Sequence, residues 1–366
     1  MKAALLEAPG TPLVIADDIE IQPPRVGEVR VRVRHCGLCH SDLSLINGTF
    51  PAPLPIIVGH EAAGVVEDLG PGVSGLAAGD RVVLTPCPPC GGCYWCVRGE
   101  PSACVNANGI QTNTLIDGTT GLSRGDQCVY RGLGLGALAQ FVVTPATGAV
   151  KVPADTPLDV ACVIGCAVQT GVGAVLNTAK VEEGATVLVM GLGGVGLAVV
   201  QGARLAGAAR IIASDPVAER RAAAARFGAT DLIDPNQDDV LTACLDLTGV
   251  GADYAFETAG RASLVQIGIA ATRTGGTTVC LGAPPMDEAV TIAPAVLFTA
   301  GQKKLLGCIL GSANSLREIP RLVALWRAGR LDLDALVTTR RPLHQINEAA
   351  ADLQAGRGIR TVLEIG

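Results

Sequence analysis

Six residues, Gly191-Leu192-Gly193-Gly194-Val195-Gly196, constrain this chain more than any others. They fit G-x-G-x-x-G, follow the apolar run Thr186-Val187-Leu188-Val189-Met190 of strand length, and open a helix-like stretch from Val195 to Ala206. Each glycine then has a task. The first allows a tight turn, the second lets backbone approach a pyrophosphate at a helix N-terminus, and the third permits close packing of helix on strand. In a chain with 46 glycines the spelling alone is weak; the strand before it and the helix after it make it informative.

The same alternation continues. Arg210 to Ser214 reads as a strand, Val217 to Phe227 as a helix, and Asp231 to Ile233, Ala252 to Glu257 and Thr277 to Gly282 as further strands. That order predicts an α/β unit with a parallel sheet doubly wound by helices. A dinucleotide turn also calls for an acidic residue about 20 positions on, at the end of the next strand. Asp215 stands there. Its carboxylate suits the hydroxyls of an adenosine ribose and repels a 2′-phosphate, so NAD is expected rather than NADP. After about Gly311 come a helix (Ser315 to Ala328), the strand-like Val337-Thr338-Thr339, a helix near Ile346 to Ala355 and a strand from Thr361 to Ile365.

Residues 1 to 150 follow a different grammar. Val29-Arg30-Val31-Arg32-Val33-Arg34 alternates strictly, as a strand with one buried face does, and short apolar runs at Gly64 to Val66, Arg81 to Leu84 and Gln140 to Val143 are bounded by turn residues. This half reads as mostly β. The stretch from Asn106 to Gly136 is polar, Gly-rich and without clear period, which predicts a long loop.

Composition sets the outer limits. At 366 residues, roughly 100 to 200 per domain, the chain predicts two domains with their own cores. With 49% hydrophobic and 17% charged residues it is not a disordered chain, and a net charge of −6 argues against a nucleic-acid partner. Residues 160–179 and 184–203 are uncharged, but glycines interrupt both where a membrane helix wants about 20 predominantly apolar residues, so no membrane span is expected. The opening MKAALLEAPG has no secretory pattern, and the 13 cysteines fit a reducing cytoplasm, where such clusters serve metals or catalysis.

Two groups of metal-binding side chains stand out. Cys90, Cys93, Cys96 and Cys104 fall within fifteen residues rich in Gly and Pro, a spacing that satisfies a closed tetrahedral ion. Cys87 offers an alternative register with Cys90, Cys93 and Cys96, and an iron–sulfur cluster is a rival occupant to zinc. The second group is scattered: Cys39 in Gly37-Leu38-Cys39-His40-Ser41-Asp42, then His60 and Glu61, then Cys166. Two cysteines and a histidine with an open fourth position make a catalytic zinc site. Cys36 and Cys39 could instead form a redox pair, although the βαβ setting of such pairs is missing.

Gly59-His60-Glu61-Ala62-Ala63-Gly64, with Gly70 and Val73, resembles the zinc signature of the medium-chain alcohol dehydrogenases, and the order of all these motifs is similar to that family over nearly the whole chain, ending in Gly358-Ile359-Arg360-Thr361. The resemblance implies a GroES-like catalytic domain from residues 1–167 and 311–366, with a Rossmann NAD-binding domain at 168–310. It implies two zinc ions per chain, one catalytic on Cys39, His60 and Cys166, and one structural on Cys90, Cys93, Cys96 and Cys104, which excludes Cys87. Asp42 and Glu61 would back the catalytic ligands, and Ser41 would take the substrate proton. His40 and Arg360 would meet the pyrophosphate, Thr170 the nicotinamide and Arg220 the adenosine ribose. The implied reaction is reversible oxidation of an alcohol to an aldehyde or ketone by hydride transfer from a zinc-bound alkoxide to NAD. A thiol-adduct dehydrogenase or aldehyde dismutase on the same scaffold, and a non-catalytic redox sensor, are the rivals. Ser44 replaces the histidine that ends the proton relay in many liver-type enzymes, and Asn108 replaces the arginine of glutathione-dependent relatives. The long segment from Asn106 is similar to the dimeric liver-like branch, so a homodimer is expected.

Overall fold

Strands here are short and their order along the chain is not their order in space. In the computed structural model, which describes residues 1–366, contacts divide the chain into Met1–Ala167 with Ala313–Gly366, and Val168–Ser312.

The first unit is built around Glu28–Gly37. Its alternation appears as burial: Val29, Val31 and Val33 lie in the core, whereas Arg30 and Arg32 turn outward and lay their guanidinium groups over Phe141. One edge of this strand pairs antiparallel with Glu61–Leu69. The other edge is shared, Phe141–Pro145 taking its first half and Arg360–Glu364 its end. The C-terminal strand therefore closes a sheet begun by the N-terminal third, with Arg81–Leu84, Ala149–Lys151 and Val337–Pro342 completing its seven strands. A second sheet of four strands contains Ala3–Leu6, Val14–Ala16, Ile56–Ile57 and Tyr130–Arg131.

The second unit carries a six-stranded parallel sheet. Numbered along the chain, Thr186–Met190, Arg210–Ser214, Asp231–Ile233, Ala252–Glu257, Thr272–Cys280 and Lys304–Gly307 lie in the order 3-2-1-4-5-6, the doubly wound arrangement. The order reverses between Thr186–Met190 and Ala252–Glu257, where such sheets open a crevice for a dinucleotide. Helix Gly194–Ala206 starts at that point.

Three sequence readings need amendment. Thr277 to Gly282 was too short, since the strand runs Thr272–Cys280. Helices Val240–Thr248 and Ala262–Ala271 were not anticipated, although Asp239 caps the first by accepting the Thr242 N–H at 2.8 Å. The stretch expected to be a loop from Asn106 holds helix Asn108–Thr112 and strands Leu122–Arg124, Gln127–Cys128 and Tyr130–Arg131. The apolar stretch from residue 160 forms two helical pieces bent by 53°, and no single helix is long and apolar enough to cross a membrane.

Arg131 explains how the irregular segment holds its shape. It is 1% exposed, and its guanidinium donates to the carbonyls of Gly134 (3.3 Å), Thr120 (3.2 Å) and Val143. No carboxylate bonds to it, so burial pushes its pKa down to about 10. We expect Arg131→Met to leave the buried Thr120 and Val143 carbonyls without this donor and cost about 3 kcal/mol or more. Scanning calorimetry should show a transition lowered by roughly 5 °C or more, and an unchanged midpoint would refute this role.

Candidate metal and dinucleotide sites

The first cluster grows from the end of a strand. After Glu28–Gly37 the chain turns at Leu38 and enters helix His40–Ile46, with Cys39 as its N-cap residue. Asp42, in the first turn and fully buried, organises three backbone and side-chain donors. Its Oδ2 accepts the Cys39 N–H at 3.0 Å, and its Oδ1 accepts the Gly59 N–H at 2.9 Å and lies 3.0 Å from His60 Nδ1. With its proton on Nδ1 facing this carboxylate, the imidazole would present its Nε2 lone pair to a metal, the carboxylate–histidine arrangement that orients metal-binding imidazoles. Burial opposes charging of His60, but the Asp42 carboxylate outweighs it and holds the pKa well above the ordinary value.

Cys166 arrives from a helix break. Its backbone (φ −133°, ψ −77°) separates the helical turn Cys162–Gly165 from Ala167–Gly173. Gly165 allows the approach, since a Cβ there would lie 2.1 Å from the Leu84 carbonyl. The ligand atoms of Cys39, His60, Glu61 and Cys166 consequently all lie within 4.8 Å of one another. The Cys39 thiol is pulled well below its ordinary pKa by its hydrogen bond with Cys166, helped by His60 and Arg360, while the same contact and burial push Cys166 up. Ser41 Oγ stands 4.0 Å from Cys39 Sγ, and His40 is exposed at the start of the helix.

Glu61 and Arg360 complete the surroundings. Glu61 faces Gly37 across the strand pair, and a Cβ on Gly37 would come 2.5 Å from Glu61 Oε2. Both carboxylate oxygens are buried without a hydrogen-bond partner, and burial raises the pKa to about 7 against the pull of Arg360, whose Nη2 lies 3.4 Å from Oε1. Arg360 itself is 4% exposed and donates to the Leu38 carbonyl at 2.8 Å, so its guanidinium is committed to this cluster. Two cysteines, an imidazole and a carboxylate thus converge in a buried pocket. A dication with affinity for sulfur and imidazole fits that donor set.

The second cluster gathers the ligand atoms of Cys90, Cys93, Cys96 and Cys104 within 4.8 Å. Backbone amides turn toward the sulfurs: Cys90 N–H donates to Cys104 Sγ at 3.3 Å, Cys93 N–H to Cys90 Sγ at 3.3 Å, and Asn106 N–H to Cys104 Sγ at 3.5 Å. Backbone donors of Cys96 and Val105 pull Cys93 down to about 6, favouring the thiolate that metals bind. Cys87 stands apart, its thiol directed to the carbonyls of Pro101 and Ser102 and pushed by burial up to about 12.

In the other unit the three glycines of the turn answer three different demands. Gly191 has φ +91°, and a Cβ on Gly196 would sit 1.9 Å from the Gly191 carbonyl. Gly193 has nothing within 4 Å of its missing Cβ, which leaves the backbone of Gly193, Gly194 and Val195 open to an anion at the helix N-terminus. Asp215 follows Arg210–Ser214 and is 4% exposed; its Oδ2 accepts the Leu192 N–H at 2.7 Å and its Oδ1 the Val217 N–H at 2.8 Å. Arg220 Nη1 lies 4.0 Å from Asp215 Oδ2. Thr170 is 8% exposed on helix Ala167–Gly173, which packs on the glycine-turn helix through Gly171, where a Cβ would come 2.5 Å from the Val195 carbonyl. Sequence reading missed Glu257, which ends the strand across the switch point, and Thr258, which directly follows it. Glu257 Oε1 accepts the N–H groups of Ala259 and Gly260 at 2.8 Å each. Its signal was an acidic residue at the end of an apolar strand.

Comparison with known proteins agrees with this geometry. The family model for zinc-binding dehydrogenases matches residues 194–325, and that for the alcohol dehydrogenase GroES-like domain matches residues 25–154. An alcohol dehydrogenase zinc-binding domain protein from Burkholderia ambifaria is 37% identical with a TM-score of 0.94, covering 100% of this chain and 98% of its own. Benzyl alcohol dehydrogenase from Acinetobacter calcoaceticus is 31% identical with a TM-score of 0.93, covering 100% and 99%. A Sinorhizobium meliloti chain described as a zinc-binding dehydrogenase, bound to NADP, is 28% identical with a TM-score of 0.81, covering 99% and 98%. The chain belongs to the medium-chain zinc-dependent alcohol dehydrogenases, with a GroES-like domain and a Rossmann domain. It is thus an oxidoreductase of that family.

We expect Cys104→Ser to remove one metal ion per chain by plasma mass spectrometry. Cys87→Ala should leave metal content unchanged, and a loss of metal from it would refute the separation of Cys87 from the cluster.

Proposed function

We propose that the protein oxidises an alcohol reversibly to an aldehyde or ketone with NAD, using one zinc ion held by Cys39, His60 and Cys166 and a second held by Cys90, Cys93, Cys96 and Cys104. The observation that carries this reading is the buried convergence of two cysteines and a histidine whose far nitrogen is tied to Asp42. Three protein ligands leave a position for substrate, whereas four cysteines close the second site. When bound, the catalytic zinc supplies a Lewis acid that lowers the pKa of an alcohol, and the nicotinamide supplies the hydride acceptor.

The chain's own residues do the rest. Ser41, half-buried beside Cys39, accepts the alcohol proton at Oγ. Ser44 stands three residues on in place of a basic relay partner, so the proton passes to water. Asp42 keeps His60 in the ligating tautomer, and Glu61 with Arg360 balances charge behind the cysteines. The Gly193 to Val195 amides cradle the pyrophosphate, with His40 as its basic contact. Thr170 backs the nicotinamide, and Asp215 and Arg220 hold the adenosine ribose. Arg360 was assigned from sequence to the pyrophosphate, but its bonds to Leu38 and its contact with Glu61 favour a role behind the metal.

NAD rather than NADP rests on Asp215, since one similar structure is bound to NADP. The likeness to a benzyl alcohol dehydrogenase makes benzylic alcohols the first substrates to try, followed by aliphatic and secondary ones. A reducing cytoplasm is the location proposed from the cysteine usage, and a homodimer is the assembly proposed from the family resemblance.

Two outcomes test the reading. Cys39→Ser and Cys166→Ala should lower alcohol turnover by about a thousandfold or more while NADH still binds by fluorescence titration; wild-type rates in either would refute the catalytic assignment. Asp215→Gly should shift the kcat/KM preference toward NADP by about tenfold or more, and an unchanged ratio would remove the ribose argument.

A further inference from the structure

One peptide unit in the Rossmann unit, Gly191–Leu192, is held at both ends by different elements. Its N–H, from Leu192, donates to Asp215 Oδ2 at 2.7 Å. Its carbonyl, on Gly191, accepts the Thr258 hydroxyl at 2.7 Å. Met190 O lies 3.2 Å from the same hydroxyl but already accepts the Thr258 N–H at 3.0 Å, so the single hydroxyl proton goes to Gly191. Thr258 Oγ1 also fills the space that two glycines leave open, lying 2.9 Å from where a Cβ of Gly191 would be and 2.8 Å from that of Gly196.

The geometry follows from the sheet order. Thr258 directly follows Ala252–Glu257, Gly191 directly follows Thr186–Met190, and these two strands are neighbours in register, Met190 opposite Glu257. Asp215 directly follows the strand on the other side, Ser214 opposite Met190. A peptide plane turns as one body, because its C=O and N–H are fixed relative to each other. Rotating the Gly191–Leu192 plane would therefore break the bonds to Thr258 and Asp215 together, and the glycine at 191, with φ +91°, offers little intrinsic resistance to such rotation.

We infer that Thr258 is a positioning residue for the dinucleotide: its hydroxyl sets the Gly191–Leu192 peptide, and through the Leu192 N–H that peptide sets the Asp215 carboxylate. Thr258 thus governs the pyrophosphate turn directly, at the Gly191 carbonyl, and the discrimination at the ribose through Leu192 and Asp215. This rests on the proposed use of NAD, with Asp215 as its ribose residue.

The test compares Thr258→Val, which keeps the shape and removes the hydroxyl, with Thr258→Ser, which keeps the hydroxyl. Dissociation constants for NADH and NADPH come from fluorescence titration, amide exchange at Leu192 from mass spectrometry of the cofactor-free protein, and unfolding midpoints from calorimetry. In Thr258→Val the NADH constant should rise about tenfold, the effect of one lost hydrogen bond, with NADPH weakened at least threefold less, so that the ratio between them narrows. Exchange at Leu192 should quicken. Thr258→Ser should restore constants and exchange to within about threefold of wild type, and in an Asp215→Asn background Thr258→Val should cost less than about threefold. Wild-type constants in Thr258→Val overturn the inference. So does a loss of both cofactors in proportion, accompanied by a lower midpoint and not rescued by serine, which reduces Thr258 to packing. If the wild-type protein binds neither dinucleotide, the cofactor reading itself fails and the inference falls with it.

Discussion

The carboxylate of Asp42 is the constraint on which the metal pocket depends. It is fully buried and ties together the Cys39 backbone at a helix start, the Gly59 backbone before a strand and the imidazole of His60. A buried charge left without such bonds would be strongly disfavoured, so these three elements are stable only when they meet around it. Bringing them together sets His60 and Cys39 at ligand distance. Cys166 then completes the set because Gly165 permits backbone contact with the Leu84 carbonyl and the helix breaks at the next residue. Glu61 enters the same space because its strand partner, Gly37, has no side chain.

The Rossmann unit solves a related problem with backbone rather than charge. The helix Gly194–Ala206 presses on the Gly191 carbonyl so closely that no side chain fits at Gly196. Packing this tight orients the amides at the helix start, and neighbouring strand ends supply the groups that hold the turn. Asp215 and Thr258 come from strands on opposite sides of Thr186–Met190, so the parallel order of the sheet, rather than any local signal, assembles the binding surface.

Much of this was legible in the residues. Strict alternation from Val29 to Arg34 marked a half-buried strand, and the glycine turn between an apolar run and a helix marked the doubly wound unit, because period and turn chemistry are local properties. The helix Val240–Thr248 was equally open to reading, with Asp239 before it and Gly249, at positive φ, after it; it went unread because nine residues, about two and a half turns, give a period little room to repeat. The strand Thr272–Cys280 was shortened because Gly275 and Gly276 interrupt its pattern; it pairs with Ala252–Glu257 at Thr272 and again from Thr277, with a register shift between. The segment from Asn106 to Gly136 gave no period at all, since its short elements are held by Arg131 reaching three carbonyls rather than by their own propensities.

The sequence by itself determined which residue types exist to bind a metal and a dinucleotide, and in what order they occur, because ligand chemistry and glycine's backbone freedom belong to individual residues. Spacing alone left two registers open for the four-cysteine lobe, and it was the family resemblance that excluded Cys87 and put Arg360 at a cofactor phosphate. Only the tertiary structure decided that Arg360 lies buried beside Glu61 and Leu38, that Cys87 bonds to carbonyls away from the other thiols, and that Thr258 grips the glycine turn. Each of those outcomes depends on which strand lies beside which, and strand neighbours are set by burial of a shared core across long stretches of chain, which no local pattern records.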